Sequence, residues 1–254
     1  MTKIELFAKA IGLVRKHSQE RYFQVLQSYV VSGSRWLDIG CGTQIVPDFA
    51  AAFAEQKEMV ARTALFIGVD TDPAISEHLL LKSPVAAIGQ HLPFRDNSFD
   101  IVTANMVFEH LETPQVVLEE VRRVLAPSGK LIFHTPNLRY PYIFIASLVE
   151  DSFKKRIIRF LERRTEEDVF TTFYRANTVQ RIRELAQEEE FEIHDLTVGP
   201  SIGSLERLGP IAILELLFLK VLSLRFFRGL NATIIAVLVK PVASSTPFLA
   251  DPQK

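Results

Sequence analysis

Two glycines and two acids carry the chemical interest of this chain. In Trp36-Leu37-Asp38-Ile39-Gly40-Cys41-Gly42-Thr43, Gly40 and Gly42 stand two apart at the end of an apolar run. Lacking a Cβ, they permit a tight turn and a close approach of backbone to ligand. Such a pair alone is equally a strand–helix turn with no ligand. Asp70 ends a second apolar run, Phe66-Ile67-Gly68-Val69-Asp70. A carboxylate there can accept hydrogen bonds from both hydroxyls of a ribose. A dinucleotide fingerprint wants a third glycine at position 45 and an acid about 20 residues on. The chain has Ile45 instead, and Asp70 lies 30 residues beyond Gly40. Asp38 would repel a pyrophosphate but suits an ammonium group.

A nucleoside with an amino-acid arm and no phosphate meets these conditions, which points to S-adenosylmethionine (SAM). The motifs resemble those of the class I SAM-dependent methyltransferases. Leu37-Asp38-Ile39-Gly40-Cys41-Gly42-Thr43 matches the family's glycine loop, and Gly68-Val69-Asp70-Thr71 its second-strand acid. Leu92-Pro93-Phe94-Arg95-Asp96-Asn97-Ser98-Phe99-Asp100 is similar to the leader of the fourth strand in the small-molecule subgroup, which includes quinone-biosynthesis methyltransferases. Asn105, Phe108-Glu109-His110-Leu111 and Leu125-Ala126-Pro127-Ser128-Gly129-Lys130-Leu131 continue the resemblance, which covers roughly residues 33–138. It implies a SAM site built from Asp38, Gly40, Cys41, Gly42, Asp70, Thr71, Gln90, His91 and Asn105. One departure stands out. The family often carries an Asp at the end of the third strand to hold the adenine amino group, and the aligned residue here is Ile88. Adenine would then rest on backbone near Gln90 and on apolar packing, with the Gln90 side chain as a substitute.

Methyl transfer from a sulfonium is an in-line displacement in which the cofactor brings its own activation. The protein must align nucleophile and methyl and remove a proton where the acceptor needs it. Candidate bases are His110, after the fourth strand, and His134, at the end of the fifth. Each has a structural alternative: His110 as a loop organiser, His134 as a strand-end residue satisfied by backbone. His91 reads as a cofactor wall. Cys41 reads as a small loop residue rather than a nucleophile. Tyr174 and Arg175, in an aromatic-rich stretch before a helix, are candidates to shape the acceptor site, with ordinary packing and a surface ion pair as the alternative. No spacing of His, Asp and Glu suggests a metal.

These residues need strands to aim them. Apolar runs at 35–40, 64–70, 85–90, 99–105, 130–134, 191–198 and 232–239 read as strands. Helical patterns at 4–30, 45–56, 73–81, 113–125 and 176–190 alternate with them. The alternation predicts an α/β, Rossmann-like, doubly wound sheet of seven mostly parallel strands with helical cap insertions. Residues 1–241 read as one domain, with caps at about 139–175 and 200–231, and 242–254 as a flexible tail. The chain has 254 residues, a formal net charge of −1 and 48% apolar residues, ample for a core and poor for duplex-DNA binding through a basic surface. One cysteine excludes an internal disulfide.

The sequence shows no secretory signal, so a cytoplasmic location is expected. Residues 154–164 hold six basic residues among eleven, interleaved with Ile157, Ile158, Phe160 and Leu161. This reads as a solvated helix or one lying on anionic lipid. Residues 211–222 are apolar except for Glu215 and Lys220, too short and charged for a span. That helix packs on the core, dimerises or meets a membrane interface, which leaves peripheral membrane contact and a homodimer open. The expected function is methyl transfer from SAM to a small-molecule or lipid-linked acceptor, with no nucleic-acid partner. The alternative is a non-catalytic SAM-binding or scaffold protein on the same fold.

Overall fold

A computed structural model describes residues 3–13, 16–82, 84–148, 171–200 and 210–242. The basic run at 154–164, most of the first cap and the tail from 243 lie outside them. Seven strands form one sheet: β1 (Arg35–Ile39), β2 (Leu65–Asp70), β3 (Val85–Ala86), β4 (Phe99–Asn105), β5 (Leu125–Pro136), β6 (Glu192–Gly199) and β7 (Thr233–Val239). Their order is β3-β2-β1-β4-β5-β7-β6. The first five run parallel, and β7 is antiparallel to both β5 and β6. The expected α/β sheet is present, and its chain order reverses between β1 and β4, where the crevice of such sheets lies.

Strand alternation sends Leu37, Val102, Leu131, Phe133 and Ala236 to one face. There they pack on α4 (Pro114–Val124) and α6 (Val179–Glu188) through Val117, Leu118, Val121, Ile182 and Leu185. The period-2 partners Trp36, Ile101, Ile132, Ile235 and Val237 face α2 (Ser18–Tyr29), with its Tyr22, Phe23 and Leu26. The remaining helices are α1 (Lys3–Ala10), α3 (Phe53–Ala61), α5 (Pro141–Ser147) and α7 (Pro210–Leu222).

Four expected elements are corrected. The helix expected over 4–30 is two, α1 and α2, because Gly12 adopts φ +64° after α1. The helix expected over 45–56 begins only at Phe53. Residues 45–52 form a loop whose backbone groups at Val46 and Ala51 are held by the buried Gln56 amide. The 73–81 helix shrinks to a 3-10 turn at Pro73–Glu77. The third strand keeps only Val85–Ala86. Beyond it the chain turns, and Ile88 bridges back to His91.

Helix α7 accounts for the apolar segment. One side, Leu216 and Leu219, packs on α1 with Ala8, Phe7 and Ile11. Lys220 Nζ donates to Gly12 O at 3.2 Å, tying α7 to the end of α1. The other side leaves Ile213, Leu214, Leu217 and Val221 exposed. No helix among the described residues is long and apolar enough to cross a membrane.

Candidate functional site

The carboxyl ends of β1, β2, β4 and β5 gather most of the singled-out residues. Gly40 follows β1 at φ +62°, and a Cβ there would sit 2.4 Å from Val107 Cγ2. Conformation and space both demand glycine at 40. Gly42 has φ +50° with open space around it, so its backbone is approachable. Asp70 fastens this loop: its Oδ2 accepts the Gly42 N–H at 2.8 Å and its Oδ1 the Asp72 N–H at 3.0 Å. Each oxygen keeps a second lone pair for an incoming hydroxyl. Thr71 follows on the exposed turn. Cys41 is buried with its thiol beside Gly68, where a Cβ would lie 2.5 Å from the sulfur. Burial, then Asp38 and Asp70, push that thiol well up, so it is no nucleophile.

Asp38 is only 2% exposed. Trp36 Nε1–H donates to Thr103 Oγ1 at 2.7 Å, and Thr103 Oγ1–H donates to Asp38 Oδ1 at 2.5 Å. Desolvation raises the carboxyl to about 7, the Thr103 bond opposes this, and Asp70 adds to it. No cationic side chain among the described residues offsets the charge. A bound ammonium would do so.

Asn105 organises the far wall. Its Nδ2 donates to Gln19 Oε1 at 2.8 Å and to Ile45 O at 3.1 Å. Its Oδ1 is therefore the acceptor for His134 Nδ1–H, at 3.0 Å. That fixes the His134 tautomer and leaves Nε2 as a bare lone pair. His134 is fully buried and stacks on Tyr22, with ring centroids 5.4 Å apart. Burial first, and then Arg21 and His17, lower its pKa to about 3, so it stays neutral.

His110 lies elsewhere. Its Nδ1 meets Thr171 O at 2.8 Å, while Glu109 O accepts the Phe173 and Tyr174 N–H groups at 2.8 and 3.2 Å. The Glu109–His110 pair thus holds the 171–174 segment. Tyr174 adopts φ +53°, and Arg175 is exposed. Gln90 and His91 lie in the turn after β3, with neighbouring Gly89 against Ile39 and Val117. No cluster of metal-ligating side chains occurs among the described residues.

Sequence reasoning gave α2 no part in the site and did not foresee the burial of Glu109. Gln19 and Tyr22 are three apart on one helical face, which reads only as amphipathic packing. Glu109 is buried, accepts from Thr135 Oγ1 at 3.0 Å and is raised to about 7 by desolvation. Its place in Phe108-Glu109-His110-Leu111 was visible, but its burial was not.

Residues 37–133 match the family model described as a methyltransferase domain. The chain is 30% identical over 132 residues to the malonyl-[acyl-carrier protein] O-methyltransferase of Legionella pneumophila, covering 49% of this chain and 44% of that protein. It is 32% identical over 123 residues to the ubiquinone/menaquinone biosynthesis C-methyltransferase of Cupriavidus pinatubonensis, covering 46% and 49%. The chain thus spans about half the length of these curated relatives. The S-adenosylmethionine-dependent methyltransferase structure from Mesorhizobium loti superposes with a TM-score of 0.55 at 13% identity, over 85% of this chain and 96% of that one. That likeness is one of fold.

Proposed function

Because this chain belongs to the class I SAM-dependent methyltransferases, we propose that it transfers the methyl group of SAM to a small-molecule or lipid-linked acceptor. The observation that carries the reading is the pair of acids around the glycine loop. Asp70 is bonded to Gly42 N–H, and Asp38 is buried beside it with no cation against it among the described residues. In this reading Asp38 holds the ammonium of the methionine arm and Asp70 the ribose hydroxyls. Gly40, Cys41 and Gly42 shape the floor, Asn105 the methionine side, and Thr71, Gln90 and His91 the adenosine side. All seven strands lie in one sheet, with the last of them, β7, inserted between β5 and β6, which supports residues 1–241 as one catalytic unit.

SAM supplies a methyl group already activated on a positive sulfur. The chain's own residues have to hold and orient. Asn105 locks His134 in one tautomer, so Nε2 can accept a hydrogen bond from an acceptor N–H or O–H. At a pKa of about 3, His134 orients a proton better than it removes one. His110, held by Thr171, fits the organisation of an acceptor wall carrying Tyr174 and Arg175.

Calorimetry should show SAM binding, weakened more than about tenfold by Asp38→Ala and by Asp70→Ala, as for loss of a charge-assisted contact. Unchanged binding in both variants would reject the site. The engagement of both candidate bases favours a second reading, a SAM-binding protein without turnover. Labelled SAM incubated with a metabolite and lipid extract separates the two, since any labelled product excludes it.

A lipid-linked acceptor fits the exterior of the cap. Phe144, Ile145, Leu148, Leu224 and Phe226 are exposed, with Arg225 and Arg228 beside them. Apolar groups among arginines suit an anionic interface. Co-sedimentation with phosphatidylglycerol vesicles at low salt, lost in Phe226→Ser/Arg228→Glu, is the expected outcome; no sedimentation removes the membrane contact.

A further inference from the structure

Beside the cofactor residues, two buried polar atoms have no hydrogen-bond partner among the described residues, Arg21 Nη1 and His134 Nε2, whereas the Tyr22 hydroxyl between them is turned toward Thr103 and the Ala104 backbone. Unpaired buried polar groups are costly, and two in one place mark a site completed by something else. Arg21 and Tyr22 are consecutive on α2, and Tyr22 stacks on His134. Nδ1 of His134 faces Asn105 on β4, so Nε2 points away from β4, toward the side of β7 and β6. Arg21 lies on that side. Its guanidinium is set against Gly199 at the end of β6, in the space a Cβ there would take. A side chain at 199 would compete with the arginine for that space.

An arginine so placed ordinarily faces a carboxylate, yet no ion pair of Arg21 occurs among the described residues. The cationic and titratable groups around it are His17, which caps α2 by accepting Gln19 N–H at 3.1 Å, and His134. Burial lowers the pKa of His17, and Glu20, adjacent on α2, partly opposes this. Burial lowers the pKa of Arg21, as expected of a charge without a counter-ion.

We propose that Arg21 is the specificity residue for an acidic methyl acceptor, pairing with its carboxylate or phosphate while His134 Nε2 accepts a hydrogen bond from a hydroxyl of the same molecule. A planar guanidinium with an unused N–H edge matches both oxyanions. The fixed tautomer leaves Nε2 able only to accept, so the molecule has to bring a donor, which a hydroxyl supplies without adding a positive charge next to Arg21. The acceptor class is therefore a hydroxy acid or a phosphate ester. This assignment rests on the methyltransferase reading for the word acceptor, but not for the anion site itself.

The test uses nitrogen NMR of the full chain, following the Arg21 guanidinium and His134 imidazole resonances while glycolate or inorganic phosphate is added. The titrations are run with and without S-adenosylhomocysteine. Saturable shifts at both residues with at least one anion are expected, and whichever binds more tightly identifies carboxylate or phosphate. Arg21→Gln should weaken that binding at least tenfold while leaving S-adenosylhomocysteine affinity unchanged. Gly199→Ala, which keeps the charge and displaces the guanidinium, should do the same. Absence of saturation with either anion overturns the proposal, as does wild-type anion affinity in both variants. Lost cofactor affinity in Arg21→Gln would place Arg21 in the cofactor site and also overturn it. Failure of S-adenosylhomocysteine to bind the wild type would sink the methyltransferase reading instead, with the anion titration still readable.

Discussion

Asp38 combines two demands that rarely coexist. It is buried deeply enough to be raised to about 7, and it stands where a cationic ligand would need it ionised. A bound ammonium lowers that pKa, so binding near neutral pH must release a proton. Calorimetry of SAM binding at pH 6.5 in buffers of different ionisation enthalpy should show release of a substantial fraction of one proton. Asp38→Asn should abolish it while leaving the fold intact. A buffer-independent enthalpy in the wild type would mean that Asp38 does not meet the ammonium. At this scale the sequence was most legible. Asp38, Gly40, Gly42 and Asp70 stand out together, because the acids in the two strands narrow what the glycine pair alone leaves open. Gln19 and Arg21 do not, because their meaning lies in partners far along the chain: Gln19 meets Asn105 across 86 positions.

Elements were legible where burial is continuous and obscure where side chains replace regular backbone pairing. β4 and β7 follow directly from their apolar runs. The 45–52 loop does not, because a side-chain amide from outside it completes the short backbone turn in which Pro47 O accepts the Ala50 and Ala51 N–H groups. Gln56 is 1% exposed, donates to Val46 O and Ala51 O at 2.9 Å each, and accepts Val46 N–H at 3.3 Å. Pro47 has no N–H to give a helix there, so the loop depends on this side chain. The loop in turn presents Ile45 O to Asn105, and through Asn105 it is linked to His134. Gln56→Ala should therefore cost about 2–4 kcal/mol, from buried backbone groups left unpaired, read by urea unfolding. It should also weaken SAM binding although Gln56 touches no ligand. Full cofactor affinity in a folded Gln56→Ala protein would show that the loop's order is independent of the site.

Across the whole molecule, buried titrating groups set the dependence of stability on pH, and the signs can be worked through. Asp38 and Glu109 have folded pKa values of about 7, above their ordinary 3.8 and 4.5. Each holds its proton more tightly when folded, so its contribution is fully present below the ordinary value and is lost as pH rises to about 7. His134 works the other way. Folded, it falls to about 3 from 6.5, so its stabilisation is present above 6.5 and is lost as pH falls. Between roughly pH 5 and 7 these two carboxyls oppose His134 and the smaller downward shifts that burial gives His17 and His78, each of the three large shifts being worth a few kcal/mol at about 1.4 kcal/mol per pKa unit. The carboxyls win. The ligand-free protein should melt at a higher temperature near pH 5.5 than near pH 8. Glu109→Gln and Asp38→Asn should each flatten that slope, and His134→Gln should steepen it. Saturating SAM should also flatten it, because a cation beside Asp38 removes that group's preference for its proton. A ligand-free melting temperature that rises from pH 5.5 to 8 would mean that neither acid is held protonated by its burial, and the proton release expected at Asp38 would fall with it.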